Sequence, residues 1–402
     1  MATALLLSMS SFAQQALFDN VPVVSPELNT NHTVTFRLKA PNAQKVQITG
    51  DFLPTKQIDT PVGKYDAPGV ADLVKDDKGV WSFTSTNLSP ELYSYNLILD
   101  GVKIVDPGSV YITRDITSVT NIFILSDKKG DCGDLYTVNE VPHGNVQKVW
   151  YDSPTLKMQR RMTVYTPAGY DKGKDYPVLY LLHGAGGDED AWTTLGRAQH
   201  ILDNLIATGK AKPMVVVMTN GNPNCQAAPG EWSAGMYVPS FYGYQGAKAV
   251  ATMDESFPDV MNYVESHYKV GKDKAHRAIC GLSMGGGHSF DISRRFPNKF
   301  DYVGLFSAGL HVGKTGDFRT DFYKMLQEDE EAKQQLATLF KNKPKLYWIG
   351  MGKTDFLYKS TAGLRRYFDE KGYKYTYMET EGGHIWRNWR VYLTEFAQKI
   401  FK

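Results

Sequence analysis

Residues Gly281-Leu282-Ser283-Met284-Gly285 spell G-x-S-x-G, with the short apolar run Ala278-Ile279-Cys280 before them and a small-residue, helix-compatible stretch, 286–296, behind, stopped at Pro297. A strand that turns sharply into a helix holds a serine hydroxyl on an exposed, strained apex, and glycines on both sides let the backbone pass without clashing. The pentapeptide alone occurs by chance; its flanks are what make Ser283 a candidate nucleophile. A serine alcohol is a poor nucleophile at neutral pH, so it needs a base within hydrogen-bond reach and an acid that keeps the base in one tautomer. Around such a turn the acid and then the base come later in the chain, each in a loop after a strand. Asp355 lies in the small-residue loop 350–355 behind the apolar run 346–349. His384 follows the strand-like run 375–378 and Gly382-Gly383, just before the last helical stretch. Ser283, Asp355 and His384 are therefore the candidate catalytic set, and acyl transfer through a covalent intermediate is the chemistry they permit.

Other residues compete for these roles. His311 and Asp317 also follow a strand, but His311 precedes any acid loop and reverses the order. His288, about a turn into the helix behind Ser283, is expected to be buried and hydrogen-bonded locally, and Asp321 to be a solvated helix residue. The reaction also requires two backbone N–H groups aimed at the oxyanion, each worth about 3 kcal/mol. Met284, the residue after the nucleophile, supplies one, and the glycine-rich loop Leu182-His183-Gly184-Ala185-Gly186-Gly187 supplies the other, with Ala185 favoured as its donor. That loop lacks the lysine of a phosphate-binding G-x-x-x-x-G-K-[ST] motif and the dinucleotide-binding spacing. No H-E-x-x-H and no clustered Cys/His spacing occurs, so neither a metal nor a cofactor is expected.

The elements that must position these groups fall into two regions of unlike period. After Lys148, apolar strands at 162–165, 178–182, 215–218, 278–280, 302–306 and 346–349 alternate with helix-period segments. These helices are expected at 198–208, 256–268, 328–340, 361–371 and 386–401. Strands apolar on every residue are covered on both faces, so the pattern predicts a mainly parallel, doubly wound α/β sheet over 148–402. Residues 18–126 instead alternate in short strands broken by turns, at 33–38, 46–49, 80–83, 93–97 and 121–124, which predicts a β-sandwich. The polar stretch 127–147 reads as a linker.

Bulk properties restrict the partners. In 402 residues, 45 Lys+Arg against 43 Asp+Glu leave a net charge of +2 without a basic stripe, which argues against nucleic acid and an anionic membrane surface. No apolar run reaches the ~18 residues needed to span a bilayer. Three cysteines, Cys132, Cys225 and Cys280, permit one disulfide at most, and Cys280 reads as a buried, inert thiol in the strand feeding the turn. Residues 1–17 contain Ala4-Leu5-Leu6-Leu7 followed by small and polar residues to Ala13. This resembles the back half of a secretory signal without a basic start, with a disordered leader as the alternative.

Two resemblances sharpen the expectation. Residues 34–40 and 46–52, Gly79-Val80-Trp81, Tyr93-Ser94-Tyr95, Asp100-Gly101 and Asp106-Pro107 resemble the immunoglobulin-like early-set module in front of glycogen-branching enzymes. That module can bind α-glucan or act as a packing partner; Trp81, Tyr93 and Tyr95, at strand spacing, read as core. Residues 180–187 with Trp192, 281–286, 352–355 and 383–386 with Trp389 resemble carbohydrate esterase family 1, which holds feruloyl, acetylxylan, esterase D-like and enterochelin esterases. The resemblance implies an α/β-hydrolase with Ser283, Asp355 and His384 as its triad. With the front module, it implies a secreted esterase acting on feruloyl esters of plant xylan. Acetylxylan or another small-acyl ester is the alternative, as is, outside enzymology, a glycan-binding protein with an inactive hydrolase domain. The loop 231–244, carrying Trp232, Tyr237 and Tyr242, is dense in aromatics and glycine and fits a wall on which a flat phenolic acid stacks; a loop packed on the front module is the other reading. Trp386, next to His384, either lines the site or pins the last helix.

Overall fold

The computed structural model of the protein describes residues 23–60, 63–233, 248–312 and 321–402. In the front module a pair of antiparallel sheets face each other. One contains Glu27–Leu28, Val34–Lys39, Val80–Thr84 and Val74–Lys75; the other is centred on Glu91–Leu99, flanked by Val46–Gly50 and Ser118–Leu125. Period-two patterning decides what goes between them: Val34, Phe36, Val46, Ile48, Tyr93, Tyr95, Leu97 and Phe123 are buried together. Trp81 joins this core and its indole N–H donates to the Ala40 carbonyl at 2.9 Å, so Trp81, Tyr93 and Tyr95 present no sugar platform.

Residues 127–147 contain a short helix, Cys132–Tyr136, capped by the Asp131 carboxylate. The Asn204 amide donates to the carbonyls of Leu135 at 3.0 Å and Thr137 at 3.1 Å, and Tyr136 is fully buried against the C-terminal region. The stretch expected as a linker is thus packed in place.

The C-terminal region holds one eight-stranded sheet: β1 (Asn145–Ser153), β2 (Met158–Thr166), β3 (Val178–Leu182), β4 (Val215–Thr219), β5 (Arg277–Leu282), β6 (Tyr302–Phe306), β7 (Leu346–Gly352) and β8 (Thr376–Thr380). Their order is β1-β2-β4-β3-β5-β6-β7-β8, with β1 and β2 antiparallel to their neighbours and the rest parallel. The sequence did not reveal β1, whose mostly exposed edge lacks the apolar run of its neighbours and which begins inside residues 127–147. One face is covered by α1 (Ala198–Ala207) and α6 (Trp386–Ala397), the other by α2 (Met253–His267), α3 (Met284–Arg295), α4 (Glu330–Lys341) and α5 (Tyr358–Lys371). This is the α/β-hydrolase arrangement. α2 starts earlier than its apolar period implies because Thr252 and Glu255 form a capping box, each side chain accepting the other's backbone N–H. Among the described residues no helix is long and apolar enough to cross a membrane.

Candidate active site

Ser283 occupies the turn between β5 and α3 with φ 52° and ψ −115°. For a residue with a Cβ such backbone costs about 1–3 kcal/mol and persists only where the surroundings over-determine it. Here they do: the Ser283 N–H donates to Phe306 O on β6 at 2.9 Å, and its carbonyl accepts from Gly287 at 3.0 Å and Gly309 at 2.8 Å. α3 then passes so close to β3 that a Cβ at Gly285 would lie 2.5 Å from the carbonyl oxygens of Leu182 and His183.

Asp355 and His384 come from the ends of β7 and β8. The Thr354 N–H donates to Gly382 O at 3.0 Å, tying the two loops together, and the Asn388 amide holds Gly383 O at 2.9 Å from the following helix. His384 Nδ1 lies 2.9 and 3.1 Å from the two Asp355 carboxylate oxygens, which are fully buried. A carboxylate accepts, so Nδ1 carries the proton and Nε2 keeps its lone pair for a nucleophile. The imidazole is held edge-on to Trp389, 4.9 Å between centroids, and tilted against Phe356 at 4.6 Å. Among the described residues no hydrogen bond joins the Ser283 hydroxyl to His384.

The glycine-rich loop behind β3 lies against the nucleophile, since a Cβ at Gly184 would be 3.2 Å from Ser283 Cβ. Its backbone N–H at Ala185, and that of Met284 at the start of α3, have no hydrogen-bond partner among the described residues. His183 supports the loop from below. Its Nδ1 is 2.7 Å from Gly184 O and its Nε2 2.7 Å from the Gly221 N–H. A carbonyl only accepts and an amide N–H only donates, so one tautomer fits. Burial lowers the pKa of His183, the bond to Gly184 working the other way, and the ring stays neutral.

Of the expected substrate wall, Trp232 is half-buried, while Tyr237 and Tyr242 lie outside the described residues, as does Asp317. Trp386 packs edge-to-face on Trp192 at 5.3 Å and on Trp389 at 5.2 Å. His311 is exposed, and Asp321 caps the helix Phe322–Glu328 instead of lying within a helix. His288 departs from expectation: its Nδ1 is buried but has no hydrogen-bond partner among the described residues.

The sequence reading missed the groups that hold these loops. Buried Arg161 binds Glu189 and Glu231, each at 2.7 Å, and Glu189 in turn accepts from Asn220 at 3.0 Å and the Ala228 N–H at 2.9 Å. Arg160 donates to the carbonyls of Asn220 at 2.6 Å and Asn222 at 2.8 Å. The available signal was two adjacent arginines running into the strand expected at 162–165, since a buried charge demands partners.

Comparison with known proteins agrees with this architecture. Residues 153–400 match the family described as putative esterase. The chain is 30% identical over 388 residues, 94% of its length, to an endo-1,4-beta-xylanase/feruloyl esterase of Xylanibacter ruminicola, of which it covers 46%. The chain thus spans less than half of that relative. A ferulic acid esterase structure from the anaerobic fungus Anaeromyces mucronatus is 26% identical, with a TM-score of 0.50 over 67% of this chain and 96% of that one. The enterobactin esterase of Shigella flexneri shares the fold alone, at 13% identity and a TM-score of 0.57, over 91% of this chain and 92% of that one. The chain therefore belongs to the putative esterase family and is built on the α/β-hydrolase fold.

Proposed function

We propose that this protein is a serine esterase that releases hydroxycinnamic acids, feruloyl groups foremost, from plant xylan. The reading is carried by His384, whose Nδ1 is committed to buried Asp355 while Nε2 remains to serve Ser283 on the strained turn. Nε2 takes the Ser283 proton as Oγ attacks the ester carbonyl, and the amides of Ala185 and Met284 receive the oxyanion. The imidazolium then protonates the leaving alcohol, and a water deprotonated by the same nitrogen frees the acid and restores Ser283.

The feruloyl choice is supported by the Xylanibacter ruminicola relative and by the similarity to ferulic acid esterases. The aromatic residues Trp232, Tyr237, Tyr242 and Trp386 are proposed to face the acyl group. Residues 1–17 are proposed to direct export, and 18–126 to act as a packing module for the hydrolase domain, 148–402, joined by 127–147. Release of ferulate from methyl ferulate, with acetate release from acetylated xylan measured in parallel, tests the assignment. Turnover of methyl ferulate that vanishes in Ser283→Ala is the expected result. Activity on acetylated xylan alone removes the feruloyl choice, and full activity in Ser283→Ala removes the mechanism.

A further inference from the structure

In the front module the hairpin joining Ile112–Asp115 to Ser118–Leu125 does not end in solvent. Its tip lies on both loops of the candidate site. Arg114 pairs with Asp188, which is 3% exposed and closes the glycine-rich loop by accepting the Asp190 N–H at 3.0 Å. The other guanidinium nitrogen donates to Ile116 O at 3.0 Å, fixing the hairpin turn itself. Ile116, at φ 52°, sits directly on Gly186: a Cβ there would lie 2.7 Å from Ile116 Cγ2. Asp115 accepts from the Trp386 indole N–H at 3.4 Å, two residues past His384.

The glycine-rich loop needs such support. Gly186 has φ +77°, Ala185 makes no backbone hydrogen bond among the described residues, and His183 holds only the loop's inner end through Gly184 O. On the outer end stands Asp188, a buried carboxylate that without a cation is driven toward water and takes the loop with it. We infer that Arg114 is a positioning residue for catalysis: by pairing with Asp188 across the boundary between the front module and the hydrolase domain, it holds the Ala185 amide where the oxyanion forms. The inference rests on the reading of Ala185 as an oxyanion donor. Arg114 itself touches no reacting atom, and the front module becomes a component of the catalytic apparatus through it.

The test is steady-state kinetics of the full chain on 4-nitrophenyl acetate, whose small acyl group demands little of an aromatic pocket. Loss of one oxyanion donor costs about 10²- to 10³-fold in kcat. Arg114→Met and Asp188→Asn are each expected to lower kcat by about 10²-fold with KM nearly unchanged, and the double variant to be no worse than either single one. Arg114→Lys restores some of the loss. Thermal unfolding of each variant separates this from collapse, and if Arg114→Met does not fold, Arg114→Lys and Asp188→Asn carry the same comparison. A kcat within twofold of the parent, an effect confined to KM, or additive losses overturn the inference. Ser283→Ala in the same assay tells the two readings apart: if it is inactive while Arg114→Met is unimpaired, only the positioning role falls.

Discussion

At His384 one nitrogen is spent and one is free to work, and that division is made by a buried carboxylate the ring cannot escape. The other buried imidazoles near the turn are kept out of proton traffic by the opposite means. Burial, with His183 acting in the same direction, pushes His288 down to about 4 from its ordinary 6.5. Between those values the unfolded chain binds a proton that the folded chain refuses. Stability is therefore fully present above the unfolded value and falls on acidification through the window, by at most about 1.4 kcal/mol per pH unit for one group. Urea unfolding across that window is expected to show a shallower pH slope in His288→Gln, the difference approaching one proton; identical slopes would mean that His288 protonates in the folded state.

The turn that carries Ser283 works because two elements approach more closely than side chains allow. At Gly285 a methyl group would meet two backbone carbonyl oxygens at 2.5 Å, and neither can rotate away. At Gly309, which also faces the turn, the nearest atom would be Ser283 O at 3.6 Å, an ordinary contact. Gly285→Ala is accordingly expected to destabilise by about 1–3 kcal/mol and to displace α3 from the loop bearing Ala185. Its loss of kcat should exceed what unfolding explains. Gly309→Ala is expected to stay within about 0.5 kcal/mol. Thermal melts and kinetics of the pair check this, and equal tolerance at both positions would refute the close-packing account.

For the whole molecule, the front module keeps a core of its own but meets the hydrolase domain in a shared apolar cluster. Leu92 and Ile122 of the front sheets are buried in the same cluster as Leu181, Trp192 and Tyr392. Arg390, 2% exposed, bridges them by donating to the Glu91 carboxylate at 3.0 Å and to the carbonyls of Leu92 at 3.2 Å and Leu195 at 3.0 Å. Removing one partner of a buried pair leaves the other uncompensated and costs about 3–5 kcal/mol. Arg390→Ala is expected to lose that much in chemical denaturation. The parent is expected to unfold in one transition whether followed by far-UV dichroism or by tryptophan fluorescence, since Trp81 reports on the front module and Trp348 on the hydrolase core. Two separated transitions in the parent would show that the boundary contributes little.

The candidate residues Ser283, Asp355, His384 and the glycine-rich loop could be picked out in the chain because each is announced by local chemistry: a small residue where backbones cross, an apolar run before a loop, a fixed order of acid and base. The parallel strands were legible for the same reason, being apolar on every residue. The edge strand β1 was not, since a strand with one neighbour and a wet face carries no such run. Nor were the packing of residues 127–147, the neutral tautomer of His183, or the pairing of Arg114 with Asp188. These depend on which surfaces meet after folding, and an ion pair between residues 74 apart leaves no periodic trace in the polymer. Local sequence determined what chemistry the loops can offer; only tertiary contact decided what holds them still.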